Sequence, residues 1–354
     1  DILKDYDNIW EAQQDKWHQR VEQGRQKALF EAMELLHTPF DFVYLESHTT
    51  AESLKQYEVL FYPHASILTP ERMAVLEGYV AAGGKLVMGC RTGYKDSYGR
   101  CVMEYLPGLA AELTGTDIPE YTLVAPDEVP VLVDWDGEKV EAALFNDLLQ
   151  AKDGTSGEVL AGYVTEDYAG TPALIRNRYG KGEAYYFGGA FSPEAAELFL
   201  RKLGVAEPFG EILTLPEECE LAVREKKGVK YLFVLNYMAE QKEICLKKPM
   251  KNLWTGETES GSRKIEKYGA RVDRIELYQV SILKQKKGTG TEVYGNGRID
   301  FLTVENVFNH VNRAFLSEER DYFREGKEGF DRFGNLSDSA LQHCEVLSGF
   351  LYRG

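Results

Sequence analysis

Cys90 is the residue best placed to act as a nucleophile. It follows the apolar stretch Lys85-Leu86-Val87-Met88 within the string Gly89-Cys90-Arg91-Thr92-Gly93. A thiol at the carboxyl end of a parallel strand sits where such sheets host active sites, and it becomes reactive when a histidine draws off its proton. His64, after the preceding strand, is the base in nearest topological reach. A nucleophile elbow, however, wants glycine two before and two after the reacting residue. Around Cys90 those places hold Met88 and Thr92. The preferred reading makes Cys90 a small buried hydrophobe at a strand end, a common state of free cysteine.

Other chemistry is less well supported. Glycoside hydrolysis needs two carboxylates about 5–9.5 Å apart across the scissile bond. With 57 Asp and Glu residues a close pair arises by chance, and no motif singles one out. His18, His37, His48 and His64 make no paired ligand spacing, and the five cysteines form no CxxC pair. No catalytic residue, metal ligand or cofactor-binding residue is therefore assigned. Gly180-Lys181-Gly182 lacks the spacing of a phosphate-binding loop and joins two strands, so it reads as a hairpin turn.

Two tryptophans suggest binding instead. Trp10 and Trp17 lie seven apart and so share one helical face. They can anchor an interface with a neighbouring subunit or border its ligand pocket, or they can pack their helix onto a sheet. Asp5, Asp7 and Asn8 precede that helix; they can point at a ligand, but capping the helix is the preferred reading.

The elements that position these residues alternate over the first 207. Apolar spacing predicts a helix from Trp10 to Leu36, stopped before Pro39. Strands are expected at Phe40–Leu45, Tyr57–Pro63 and Lys85–Gly89. Between the last two, Thr69-Pro70 starts a helix that Gly83-Gly84 ends. Further strands are expected at Val129–Asp134 and Glu158–Val164, then a hairpin of Pro172–Tyr179 with Gly182–Phe187, then a helix from Ser192 to Leu203. Strands separated by helices imply an α/β domain with a parallel sheet covered on both faces. From about 208 to 277 the period changes to two. Cys219–Arg224, Lys230–Asn236, Glu243–Leu246 and Lys267–Ile275 predict a small antiparallel β domain. Residues 278–354 continue neither pattern. Gly288-Thr289-Gly290 reads as a linker, Phe301–Phe315 as a helix, and the region is left as an unassigned, partly helical tail.

The chain of 354 residues, 44% hydrophobic and 28% charged, has the balance of a globular protein of two or three domains. A net charge of −16 disfavours nucleic acid as partner. No stretch reaches the length of a membrane span, and the scattered cysteines suit a reducing, cytoplasmic setting.

Several strings occur in an order that resembles the C-terminal half of family-42 glycoside hydrolases, the bacterial β-galactosidases. They are Asp5-Tyr6-Asp7-Asn8 with Trp10, Asp15-Lys16-Trp17-His18, Tyr79-Val80 with Gly83-Gly84-Lys85-Leu86-Val87, and Arg91-Thr92-Gly93. Asn177-Arg178-Tyr179-Gly180-Lys181-Gly182 and Leu235-Asn236-Tyr237 complete the set. The resemblance implies that residues 1–207 are a trimerisation domain with a glutamine-amidotransferase-like, flavodoxin-like fold, and that 208–277 are the small C-terminal β domain. It also implies that the catalytic carboxylates belong to a (β/α)₈ barrel preceding this sequence, which would need roughly 250 residues. The expected function is therefore non-catalytic assembly, as a homotrimer. One alternative is a β-galactosidase component that hydrolyses terminal β-galactosides together with a barrel-bearing chain. Another is a sugar-binding module with Trp254, Tyr231 or Tyr237 as stacking platforms.

Overall fold

The computed structural model describes residues 1–14, 27–124, 129, 131–165 and 168–275. Trp17 and the tail from 278 lie outside the described residues. The chain opens with β1 (Ile2–Lys4) and α1 (Tyr6–Gln14), then helical residues 27–35 (α2). β2 (Phe42–Tyr44), α3 (Ala51–Leu54), β3 (Val59–Tyr62), α4 (Pro70–Ala81) and β4 (Lys85–Met88) follow. Next come α5 (Ala111–Thr114), β5 (Thr116–Leu123), β6 (Val131–Trp135), β7 (Glu138–Ala151), β8 (Glu158–Tyr163), β9 (Pro172–Tyr179), β10 (Gly182–Phe187), β11 (Gly189–Phe191) and α6 (Pro193–Lys202). Six further strands are β12 (Leu213–Thr214), β13 (Cys219–Lys226), β14 (Val229–Asn236), β15 (Lys242–Asn252), β16 (Thr258–Ile265) and β17 (Ala270–Ile275).

β1 to β11 form one sheet in the order β11-β7-β6-β8-β9-β10-β4-β3-β1-β2, with β5 paired to β7. The expected parallel sheet is corrected here: the sheet is mixed. Only β2-β1-β3-β4-β10 are parallel; the strands from β9 outward pair antiparallel. The reason lies in the connections. A parallel step needs a crossover of a dozen or more residues, whereas two-residue turns force strands antiparallel. Asp136-Gly137, both with positive φ (54° and 85°), joins β6 to β7, and Gly180-Lys181 joins β9 to β10.

Side chains alternate across this sheet into two apolar layers. Val59, Phe61, Val87, Leu174, Tyr185 and Phe187 face α2 and α6, where Leu29, Met33, Leu198 and Phe199 are buried. Leu60, Tyr62, Leu86, Met88, Ile175 and Tyr186 face α4 and α5, with Leu76, Tyr79 and Leu113. Burying each such side chain stabilises by about 1.5–3 kcal/mol. Thr69 caps α4 by accepting from Arg72 N at 3.3 Å, with Pro70 at the first helical position. Ser192 and Pro193 do the same for α6.

The second sheet, β12-β15-β17-β14-β13 with β16 on β15, is antiparallel throughout. Leu221, Leu232, Val234, Ile244, Leu246 and Met250 fill its core. Asn236 ends β14 with a buried side chain. Its Nδ2 donates to the carbonyls of Glu240 at 2.8 Å and Glu266 at 2.9 Å, and its Oδ1 accepts from Met238 N at 3.0 Å.

The two sheets belong to one compact unit. At their junction a His37 ring nitrogen lies 3.0 Å from the Pro216 carbonyl, and Arg224 lies 3.7 Å from Asp41. Glu34 of α2 and Glu220 of β13 interact there, and Tyr237 donates to Glu220 at 2.5 Å. Burial first, and then Glu220, pushes the Glu34 carboxyl up to about 8.

Two outcomes follow from this packing. Asn236→Ala removes the hydrogen bonds of a buried side chain that ties β14 to the loops at Glu240 and Glu266, and is expected to destabilise by about 1–3 kcal/mol in a denaturant titration. Glu34, protonated in the folded state where the unfolded chain has lost the proton, makes stability fall as pH rises from about 4.5 toward 8 and level off above. Melting curves across that window should show a smaller fall for Glu34→Gln than for the wild type.

Candidate functional site

The carboxyl ends of β1, β3 and β4 meet where the strand order reverses, the place at which open α/β sheets bind ligands. Asp5 follows β1 and is 1% exposed. Its carboxylate accepts from Asn8 N at 2.9 Å, which caps α1, from Asn8 Nδ2 at 2.7 Å, and from the Tyr62 hydroxyl. Arg72 Nη1 of α4 lies 3.3 Å away, and Arg72 Nη2 pairs with Asp7 at 2.5 Å. Asn8 also pins the loop after β3, donating to the Ile67 carbonyl at 3.0 Å and accepting from Ile67 N at 2.7 Å. A buried carboxylate is tolerated only when so fully matched. Burial, then Asp5, raises the Tyr62 phenol well above its usual range, so it remains a donor. Of the three residues read as a cap, Asp5 caps α1, whereas Asp7 and Asn8 lie within the helix, pairing with Arg72 and with the loop after β3.

One helical turn on, Glu11 pairs with Lys95 and lies 3.6 Å from His64 Nε2. His64 is 3% exposed. Cys90 is fully buried, with its Sγ 3.5 Å from the Phe145 carbonyl. His64 thus faces Glu11 of α1, and Cys90 lies against Phe145 of β7 and near Tyr163 and Tyr186.

The strained residue after β4 is not Cys90 but Arg91, whose φ is +65°. Counted from Arg91, glycines do stand at both flanking places, Gly89 and Gly93, so the elbow pattern was present one position later. A Cβ on Gly93 would lie 2.2 Å from the Pro107 carbonyl oxygen, which leaves no room for another residue there. The elbow N–H groups are occupied: Arg91 N donates to Asp147 Oδ2 at 2.7 Å and Thr92 N to the Tyr186 hydroxyl at 3.3 Å. Tyr186 also donates to Asp147 Oδ2 at 2.8 Å. A guanidinium has no electron pair to attack a carbonyl, and the N–H groups that stabilise an acyl oxyanion at such a turn are already bonded. This elbow does not support acyl transfer. The Arg91 guanidinium is instead walled by aromatic rings, 3.5 Å from the Tyr94 centroid, 4.2 Å from Tyr121 and 5.1 Å from Phe145.

Trp10 is 59% exposed on α1, stacked in a short ladder with Tyr6 (centroids 5.7 Å) and, through Tyr6, with Tyr44 (5.4 Å). In the second sheet Trp254 is exposed on the turn after β15, Tyr231 is half-buried within β14, and Tyr237 follows that strand with its hydroxyl on Glu220. Tyr231 and Tyr237 are six residues apart, about 20 Å along an extended strand, so they do not share one stacking platform. Among the described residues no group of three His, Cys, Asp or Glu is placed to hold a metal ion, and no helix is long and apolar enough to cross a membrane.

Comparison with known proteins agrees with this geometry over both sheets. Residues 2–207 match the model of the β-galactosidase trimerisation domain, and residues 219–274 that of the β-galactosidase C-terminal domain. β-Galactosidase Pbg of Clostridium perfringens is 27% identical over 289 residues, covering 77% of this chain and 40% of that protein. β-Galactosidase BgaA of Clostridium cellulovorans is 29% identical over 222 residues, covering 63% and 33%. A catalytic mutant of Gan42B, a family-42 β-galactosidase from G. stearothermophilus, superposes with a TM-score of 0.67 at 24% identity, covering 77% of this chain and 39% of that one. The chain therefore spans between a third and two fifths of the length of these relatives. With residues 2–207 and 219–274 matched in order, the chain belongs to the family-42 β-galactosidases, as their trimerisation domain followed by their C-terminal domain.

Proposed function

We propose that these residues act by self-association, as the homotrimerising portion of a β-galactosidase. Residues 1–207 serve as the assembly domain, 208–277 as the small β domain, and 278–354 carry no assigned role. The supporting observation is the trimerisation-domain match over 2–207, joined to an exposed aromatic ladder on a helix that the Asp5 network holds rigid. A ring of three uses two different surfaces on each subunit. Large aromatics on a fixed helix suit one of them, because they bury much area at little entropic cost. The parallel order β2-β1-β3-β4-β10 and the elbow after β4 support a glutamine-amidotransferase-like, flavodoxin-like ancestry for the assembly domain. The free, scattered cysteines suit a reducing cytoplasm.

A second reading follows from the relatives' names. A barrel-bearing chain supplies the two carboxylates, and this chain completes it as an active β-galactosidase on terminal β-galactosides. The exposed Trp254 gives less support to a separate sugar-binding module, since Tyr231 is half-buried and the Tyr237 hydroxyl is engaged by Glu220.

If the ladder is an interface, Trp10→Ala raises the concentration of half-dissociation by about tenfold or more, the usual effect of removing an anchoring tryptophan. A sedimentation-velocity dilution series identical to that of the wild type would remove Trp10 from the interface. Under the second reading, adding this chain to a barrel-bearing chain increases nitrophenyl-galactoside hydrolysis; no gain over the barrel alone would end that reading.

A further inference from the structure

We propose that Arg91 forms a carboxylate-binding site at the elbow after β4. The residue is 4% exposed, yet Nε and Nη1 have no hydrogen-bond acceptor. Buried donors are almost always matched, and an unmatched buried guanidinium is strongly disfavoured. The rings of Tyr94, Tyr121 and Phe145 shield the cation, and Tyr94 also hydrogen-bonds the guanidinium, but Nε and Nη1 point outward in the guanidinium plane and meet no acceptor. What those donors lack is an oxygen in the guanidinium plane.

The surroundings fix both the site and the ligand class. Arg91 is held at a positive φ that a residue with a Cβ seldom adopts, and such strain concentrates where a side chain must be aimed. Its backbone is clamped by Asp147 and the next N–H by Tyr186, so the loop is rigid before any ligand arrives. A planar carboxylate matches the planar guanidinium fork. The nearby Asp147 carboxylate and the chain's net charge of −16 disfavour a multivalent anion such as phosphate. Tyr121, whose ring lies 4.2 Å from the guanidinium, is 45% exposed and forms the solvent-side wall of the site. Two sources share this chemistry: a free small carboxylate, and an Asp or Glu side chain of a second copy of the chain. The first source does not depend on the assembly reading.

The test uses the full chain and [1-¹³C]acetate. Binding broadens the acetate carboxyl line, and excess formate sharpens it again. Acetate at about 100 mM also raises the wild-type Tm above that in sodium chloride of equal ionic strength. Arg91→Gln is expected to lose both effects, and Arg91→Lys most of them, because an ammonium lacks the planar fork. Binding that leaves the oligomer distribution unchanged assigns a free carboxylate. Acetate and Arg91→Gln each raising the concentration of half-dissociation assigns the carboxylate of a second copy. A wild-type chain whose acetate line stays sharp, whose Tm matches that in chloride and whose association ignores acetate overturns the proposal, and that result requires no variant to fold.

Discussion

One buried carboxylate organises the first domain. Asp5 sits at the point where the strand order reverses, away from water, and must be matched from every side. Asn8 matches it from α1, Tyr62 from β3 and Arg72 from α4. Each partner belongs to a different element, so the carboxylate fixes their mutual placement as well as the start of α1. Removing a single partner would leave one side of the buried carboxylate unmatched, which is costlier than losing an exposed ion pair. The ladder of Trp10, Tyr6 and Tyr44 inherits its rigidity from this arrangement.

The elbow after β4 explains how an α/β scaffold of this type can hold an assembly role. Its geometry is that of a reactive turn, with flanking glycines and a positive φ. Its chemistry is different: a buried cation occupies the corner, and Asp147 and Tyr186 consume the N–H groups that would otherwise face a substrate. β7 supplies both Asp147 and Phe145, so the antiparallel half of the sheet closes over the site that the parallel half builds. In this way the mixed topology bears directly on function.

Much of this was legible from the residues alone. The cap at Thr69-Pro70, the helix from Ser192 and the hairpin across Gly180-Lys181 follow from local rules, and the structure places α4, α6, β9 and β10 where those rules put them. β7 was not legible. Its Glu, Lys, Ala and Leu residues carry helical propensity, and a left-handed Leu144 breaks its alternation. It is a strand because β5, β6 and β11 supply its hydrogen-bond partners. β16 was hidden for another reason: it is short of apolar residues, interrupted by Gly261, and paired only along β15. Missing β7 led to the parallel-sheet expectation. The elbow was missed because glycines were counted around the cysteine and not around its neighbour.

The account rests on self-association, and the solution mass of the full chain tests it most directly. Sedimentation equilibrium over a wide concentration range should converge on three times the 40.1 kDa of one chain. A mass that stays at that of a single chain into the high micromolar range would contradict it.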